Sequence, residues 1–165
     1  MKNVKLPHRL LIMHYSKHNT PAGENRNIRR ALAEAVLHEA AIMKKIRIDE
    51  NETLHADAET GTGHSIIDTV ADRVRMQPGL SLGKWIKTLA ANDHISLHVT
   101  QNLMDNRLLK ASTSGGLFRK KQTRYTLTPE DIGQHMRNYL TDKNNTGNKD
   151  PRNEISRSLI AKYEL

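Results

Sequence analysis

Apolar residues recur at helical spacing through most of the chain. Between residues 27 and 43 they fall at Ile28, Leu32, Ala35, Val36, Ala40 and Met43, with few polar interruptions after Arg30. A helix apolar over most of its circumference is a buried, central one. Residues 45 to 49 and 53 to 56 alternate with period two instead, which predicts a small hairpin. Residues 59 to 64 hold two glycines and lead into a helix with Ile66, Ile67, Val70 and Val74 inward, ended by Met76-Gln77-Pro78-Gly79. Ser81 is placed to cap a helix carrying Leu82, Trp85, Ile86 and Leu89, and Asp93 to cap another running through Asn106. Strands over 108 to 111 and 123 to 127 follow, connected by 112 to 122. Thr128-Pro129-Glu130-Asp131 reads as an N-cap, a proline at N1 and acids in the first turn of a helix bearing Ile132, Met136, Tyr139 and Leu140. The fold expected is mainly α, a compact helical domain with two small β-hairpins. Its main body spans 1–141, a polar loop 142–153, and a C-terminal helix 154–165 that packs on the same domain through Ile155, Leu159 and Tyr163.

The start of the chain, MKNVKLPHRLLIMHYSKH, has a charged lead and a short apolar run interrupted by Pro7 and Arg9. It lacks a small-residue cleavage site, so it reads as mature protein. No run approaches the ~20 apolar residues of a membrane-spanning helix.

Composition narrows the function. The chain has 165 residues, about one domain, and its single Trp and single Phe supply no stacking platform for single-stranded nucleic acid. Cysteine is absent, which excludes disulfides, thiolate metal sites and cysteine nucleophiles and fits a reducing compartment. Net charge is +8, unevenly spread: from Asp49 to Asp72 there are seven acids and no Lys or Arg. The remainder therefore carries about +15, the +8 of the whole plus those seven, enough to favour phosphates, nucleic acid or anionic lipid.

Catalytic and metal chemistry find little support. His94 and His98 stand four apart on a helix, and His14 and His18 share that spacing, but no third ligand sits at a familiar spacing. His38-Glu39 lacks the second histidine of a zincin, and the carboxylates of Glu34 and Glu39 read as helix surface. The glycines at 61 and 63 lack both the Walker lysine and the Rossmann spacing. We therefore expect no catalytic residue, no metal and no cofactor. Residues 107–124 say more: Arg107, Lys110, Arg119, Lys120, Lys121 and Arg124 occur with no acid among them, around Gly115-Gly116-Leu117-Phe118. Leu117 and Phe118 at a hairpin tip are expected to insert into a bilayer interface while the cations meet anionic headgroups, each worth ~1 kcal/mol near the surface. The alternative is a core-packing Leu-Phe pair beside a solvated basic strand.

Two families share this order of elements. Residues 99–109, the basic hairpin and Thr126-Leu127-Thr128-Pro129-Glu130 resemble a winged-helix DNA-binding regulator of the multiple-antibiotic-resistance type, with 107–127 as the wing. Its recognition helix would be residues 94–106, which carry no Arg or Lys, the donors a major-groove reader uses. The second resemblance covers about residues 28–161. Residues 32–48 (LAEAVLHEAAIMKKIRI) resemble the signature helix and first strand of the Golgi phosphoprotein 3 family. Thr62 to Asp68 is similar to its Thr-Gly-Asp, two apolars, Asp stretch with His64 for the Asp, residues 82–89 to its next helix, 102–109 to the segment before its hairpin, and 152–161 to its Arg-rich late helix.

That resemblance implies a mainly helical, non-enzymatic, peripheral membrane adaptor in the cytoplasm. Members bind phosphatidylinositol 4-phosphate and, in eukaryotes, retain Golgi glycosyltransferases. It implies anionic membrane lipid as partner, a client protein, and homo-oligomers through the hairpin, with nucleic acid less favoured. The family's headgroup Trp falls near Glu24 here, its signature-helix Arg at Ala33, and its later Arg pair near Asp93 and Ser96. The cations available for headgroups are instead Arg26, Arg29 and Arg30, together with Arg119, Lys120, Lys121 and Arg124.

Overall fold

A computed structural model describes residues 4–57, 63, 65–115, 121–129, 131–141 and 150–165. In chain order these form α1 (Leu6–Tyr15), a 3-10 turn (Ala22–Glu24), α2 (Arg26–Ile42), β1 (Ile46–Ile48), β2 (Leu54–Ala56), α3 (Ser65–Met76), α4 (Leu82–Leu89), α5 (His94–Asp105), β3 (Leu109–Ser114), β4 (Gln122–Leu127), α6 (Ile132–Thr141) and α7 (Pro151–Tyr163). Both sheets are two-stranded antiparallel hairpins, so the mainly α expectation holds.

Helix α2 is the axis of the fold. Its side chains from Ile28 to Ala40 are buried on nearly every side, against α1, α3, α4, α5 and α7. Alanines at 31, 33, 35 and 40, all fully buried, leave room for five helices to approach one. Asn25 caps its start, accepting from Asn27 N–H at 2.9 Å and Ile28 N–H at 3.2 Å. Its end is a Schellman turn: Lys45 N–H reaches Ala40 C=O and Lys44 N–H reaches Ala41 C=O, with Lys44 left-handed at φ 55°. The same device ends α5. There Arg107 (φ 58°) is the left-handed residue, and it turns the chain directly into β3.

The structure departs from the sequence expectation in several places. The opening apolar run is itself a helix, α1, with Leu6, Leu10, Leu11 and Ile12 fully buried. Pro7 is tolerated because it lies in the first turn, where its missing N–H has no helical acceptor. Arg9 is tolerated because its charge is answered, as described below. Asp93 makes no side-chain cap; Asn92 Oδ1 accepts the His94 N–H at 3.2 Å instead. Helix α6 starts at Ile132, so Pro129 precedes it rather than filling N1. Strands β3 and β4 reach Ser114 and Gln122, beyond the expected ends, because cross-strand pairing continues from Leu109↔Leu127 out to Ser114↔Gln122. Helix α7 begins at Pro151 under an Asp150 cap, three residues earlier than expected, and packs on α1 and α2.

Glu34 and Glu39 are buried rather than on a helix surface. Glu39 accepts the Leu6 N–H at 3.0 Å and holds Arg152 through both of its oxygens, at 2.7 Å and 3.0 Å. Arg9 spans from Val4 C=O to Asn153 and Asp150, with guanidinium bonds of 2.6 Å and 2.8 Å to the latter two. Glu34 takes the Tyr163 hydroxyl at 2.6 Å and Lys162 Nζ at 2.8 Å. These bonds fasten α7 to α1 and α2 across more than a hundred residues of sequence.

Candidate functional site

The second hairpin has two unlike faces. Ala111 pairs with Tyr125, whose ring lies 5.1 Å from that of Tyr15 and whose N–H donates to Asn19 C=O at 2.9 Å. That face meets the body of the domain. Because side chains alternate along a strand, the Lys110↔Thr126 and Ser112↔Arg124 pairs take the opposite face. Lys110 and Arg124 are exposed there.

Two clefts adjoin β4 on either side of the segment Asn19-Thr20, which lines both. The larger, about 440 Å³, lies between the end of α1, β4 and α6 and offers Lys17, His18 and Arg137. Its floor exists because α6 crosses very close to α1 at Gly133, where any Cβ would collide with Ser16. Arg137 is held across that contact, donating to Ser16 Oγ at 2.6 Å and to Gln134 Oε1 at 2.8 Å. Lys17 Nζ donates to the Leu165 oxygen at 2.8 Å. The smaller cleft, about 390 Å³, offers Lys121 and Arg124 beside Thr123, with Glu24 as its single acid among the described residues. On α1, His14 is buried with its Nε2 unpartnered. Burial, and then the His18 ring 5.0 Å away, push its pKa down to about 4.

The expected cations are distributed as follows. Lys121 and Arg124 stand on the smaller cleft, exposed. Arg26 is exposed at the start of α2, two residues from Glu24. Arg29 folds back to donate to Gly23 C=O at 3.1 Å, its Nε buried without a partner. Arg30 turns toward α7, its guanidinium 5.7 Å from the centre of the Tyr163 ring. The arginine cluster of α2 is thus split between two sides of the helix. Arg119, Lys120, Leu117 and Phe118 lie outside the described residues. The sequence reading missed Lys17 and Arg137 and weighed His18 only as a metal ligand. Recognising α1 as a helix would have exposed Lys17 and His18, since they follow its C-terminus directly.

The structure also gathers the positions where the Golgi phosphoprotein 3 resemblance placed a headgroup pocket. Gly23 sits against α5 so closely that a Cβ would come 2.9 Å from Asp93 Cβ and 3.2 Å from Ser96 Oγ. A cleft of about 160 Å³ there is lined by Glu24, Asp93 and Ser96 with Tyr15 and Tyr125. Two of its side chains are acids. Ala33 is fully buried in the core and brings no charge to it.

Among the described residues no group of three His, Asp or Glu side chains is placed to hold a metal ion. No described helix is long and apolar enough to cross a membrane.

The fold is thus a mainly helical domain built round one central helix packed against five others, with a basic hairpin at β3 and β4. The chain matches the Golgi phosphoprotein 3 (GPP34) family over residues 6–162, nearly its whole length, and it belongs to that family. No curated protein sequence matches it.

Proposed function

We propose that this protein is a non-enzymatic, peripheral adaptor that binds anionic membrane headgroups, phosphoinositides among them, from the cytoplasmic side. The observation that carries this is the pair of clefts along β4. They share Asn19 and Thr20, gather Lys17, His18, Lys121, Arg124 and Arg137, and include Glu24 as their only acid among the described residues. Membership of the Golgi phosphoprotein 3 family supports the same reading. In it, Lys121 and Arg124 are primary headgroup ligands and Arg26 flanks them. Arg29 and Arg30 contribute to the local field, and Arg119 and Lys120 extend the basic strand toward the membrane. The carboxylates at Glu24 and Asp93 move the headgroup off the pocket that the family resemblance would use. The winged-helix alternative would need base contacts, and α5 carries no Arg or Lys to make them.

Cosedimentation with liposomes tests the proposal. Vesicles containing phosphatidylinositol 4-phosphate or phosphatidylserine should bind the protein, neutral vesicles should not, and binding should fall steeply with salt. Lys121→Glu with Arg124→Glu should weaken binding tenfold or more, because each lost cation costs ~1 kcal/mol and each new carboxylate repels the surface. Equal binding to neutral and anionic vesicles refutes the reading. Displacement from anionic vesicles by stoichiometric duplex DNA would favour the DNA alternative.

A further inference from the structure

A third cleft, of about 310 Å³, lies away from the hairpin, between α3, the end of α4 and the start of α5. Its floor is aliphatic. Val70, Leu89 and Ile95 are 1%, 5% and 5% exposed, and Ile66 is half-buried. Its rim is cationic or ionisable, with Arg73 from α3 and His94 and His98 from α5, and among the described residues no carboxylate lines it. The guanidinium of Arg73 and the ring of His94 have no hydrogen-bond or ion-pair partner among the described residues, although both are exposed beside the opening. The cleft also opens at the N-terminus of α5, where Asn92 Oδ1 on the rim accepts the His94 N–H at 3.2 Å.

We propose that this cleft binds a single aliphatic chain ending in a carboxylate. The floor removes apolar surface from water and the volume sits at the small end of ligand pockets, so it accepts one slender chain rather than a helix or a folded partner. Arg73 presents a planar fork that matches a carboxylate in bidentate fashion. The positive end of α5 reinforces that charge preference. A phosphate head alone would leave the aliphatic floor unused, and an alcohol or amine head would leave Arg73 unanswered. The site uses none of the residues assigned to headgroup binding, so it stands or falls separately.

Isothermal titration of the full chain with decanoate, decanol and a leucine-ended tripeptide tests this. Decanoate should bind saturably at one site, with decanol at least tenfold weaker. Arg73→Gln should bring decanoate down to the affinity of decanol, with the melting temperature unchanged. Thr69→Trp, on the exposed rim, should close the cleft and abolish both. If that variant fails to fold, Arg73→Gln still decides. Equal affinities for decanoate and decanol, or decanoate binding indifferent to Arg73→Gln, overturn the proposal. A tripeptide that outcompetes decanoate overturns the chosen occupant.

Discussion

Arg152 and Lys162 on α7 each meet a carboxylate of α2, whereas Lys121, just before β4, and Arg124 on it face an open cleft. The helix clasp keeps Glu39 and Arg9 fully buried, and their satisfaction is complete enough to make them structural parts. The hairpin cations have no such partners among the described residues, and water is what they would give up to a ligand. The lesson is that charge marks a site only where the fold leaves it unanswered. A buried ion pair is weak as a net source of stability, but removing one member leaves the other uncompensated and costs ~3–5 kcal/mol. Exposed cations contribute little to folding and can be spent on binding.

That contrast breaks most sharply at Glu39. Glu39→Ala strands the buried Leu6 N–H and removes the bidentate partner of Arg152. The melting temperature should fall by ~10 °C, from ~3–5 kcal/mol at roughly 2–4 °C per kcal/mol in a domain of this size. Liposome affinity of the protein that remains folded should not change. A shift below 2 °C would show that the clasp is not structural.

The two regions also separate by pH. Burial opposes ionisation of Glu34, but the His38 ring 3.7 Å away and hydrogen bonds from Lys162 and Tyr163 outweigh it and hold its pKa at about 2. A carboxylate lowered from its ordinary value adds stability that is present above that value and is lost only as pH falls toward about 2. The clasp is therefore intact at pH 5. His14 behaves oppositely: with its pKa pushed down to about 4, the unfolded chain binds the proton first. Stability should decline as pH drops from about 6.5 to about 4, by at most ~3 kcal/mol at 1.36 kcal/mol per unit, and then level off. Urea titrations at pH 7, 5.5 and 4.5 measure it, and His14→Phe should flatten the decline. An unaltered slope in that variant would put the acid sensitivity elsewhere.

Much of the frame was legible in sequence. The apolar run of residues 28–43 could only be a central helix, and Ser81 does cap α4, accepting the Lys84 N–H at 3.4 Å. What escaped was whatever depended on a distant partner. Pro7 and Arg9 look like interruptions until Asp150 and Asn153 arrive from the far end of the chain to answer Arg9. Glu34 and Glu39 look like surface until Lys162 and Arg152 cover them. At the candidate site, the run of cations without an acid over 107–124 marked Lys121 and Arg124 as candidates. Arg137 could not be joined to Lys17 and His18 without the close crossing of α6 over α1 at Gly133.

The smallest expected effect separates a membrane-facing hairpin from a merely basic one. Leu117 and Phe118 lie outside the described residues, between β3 and β4, so the strands that carry them are placed while the pair is not. Strand β3 is exposed from Lys110 to Ser114. Fully burying such a side chain is worth ~1.5–3 kcal/mol, and partial insertion at a bilayer interface less. Leu117→Ser with Phe118→Ser should therefore cost about tenfold in affinity for anionic liposomes, ~1.4 kcal/mol, with the melting temperature unchanged. Reversing Lys121 and Arg124 cannot make this distinction, since lipid and DNA phosphates both need those charges. The serine pair can, because a wing held on a duplex uses its cations on phosphates and has no use for an apolar tip. A large fall in melting temperature would place the two residues in the core. Unchanged liposome affinity at unchanged stability would leave the cations acting alone, with no insertion.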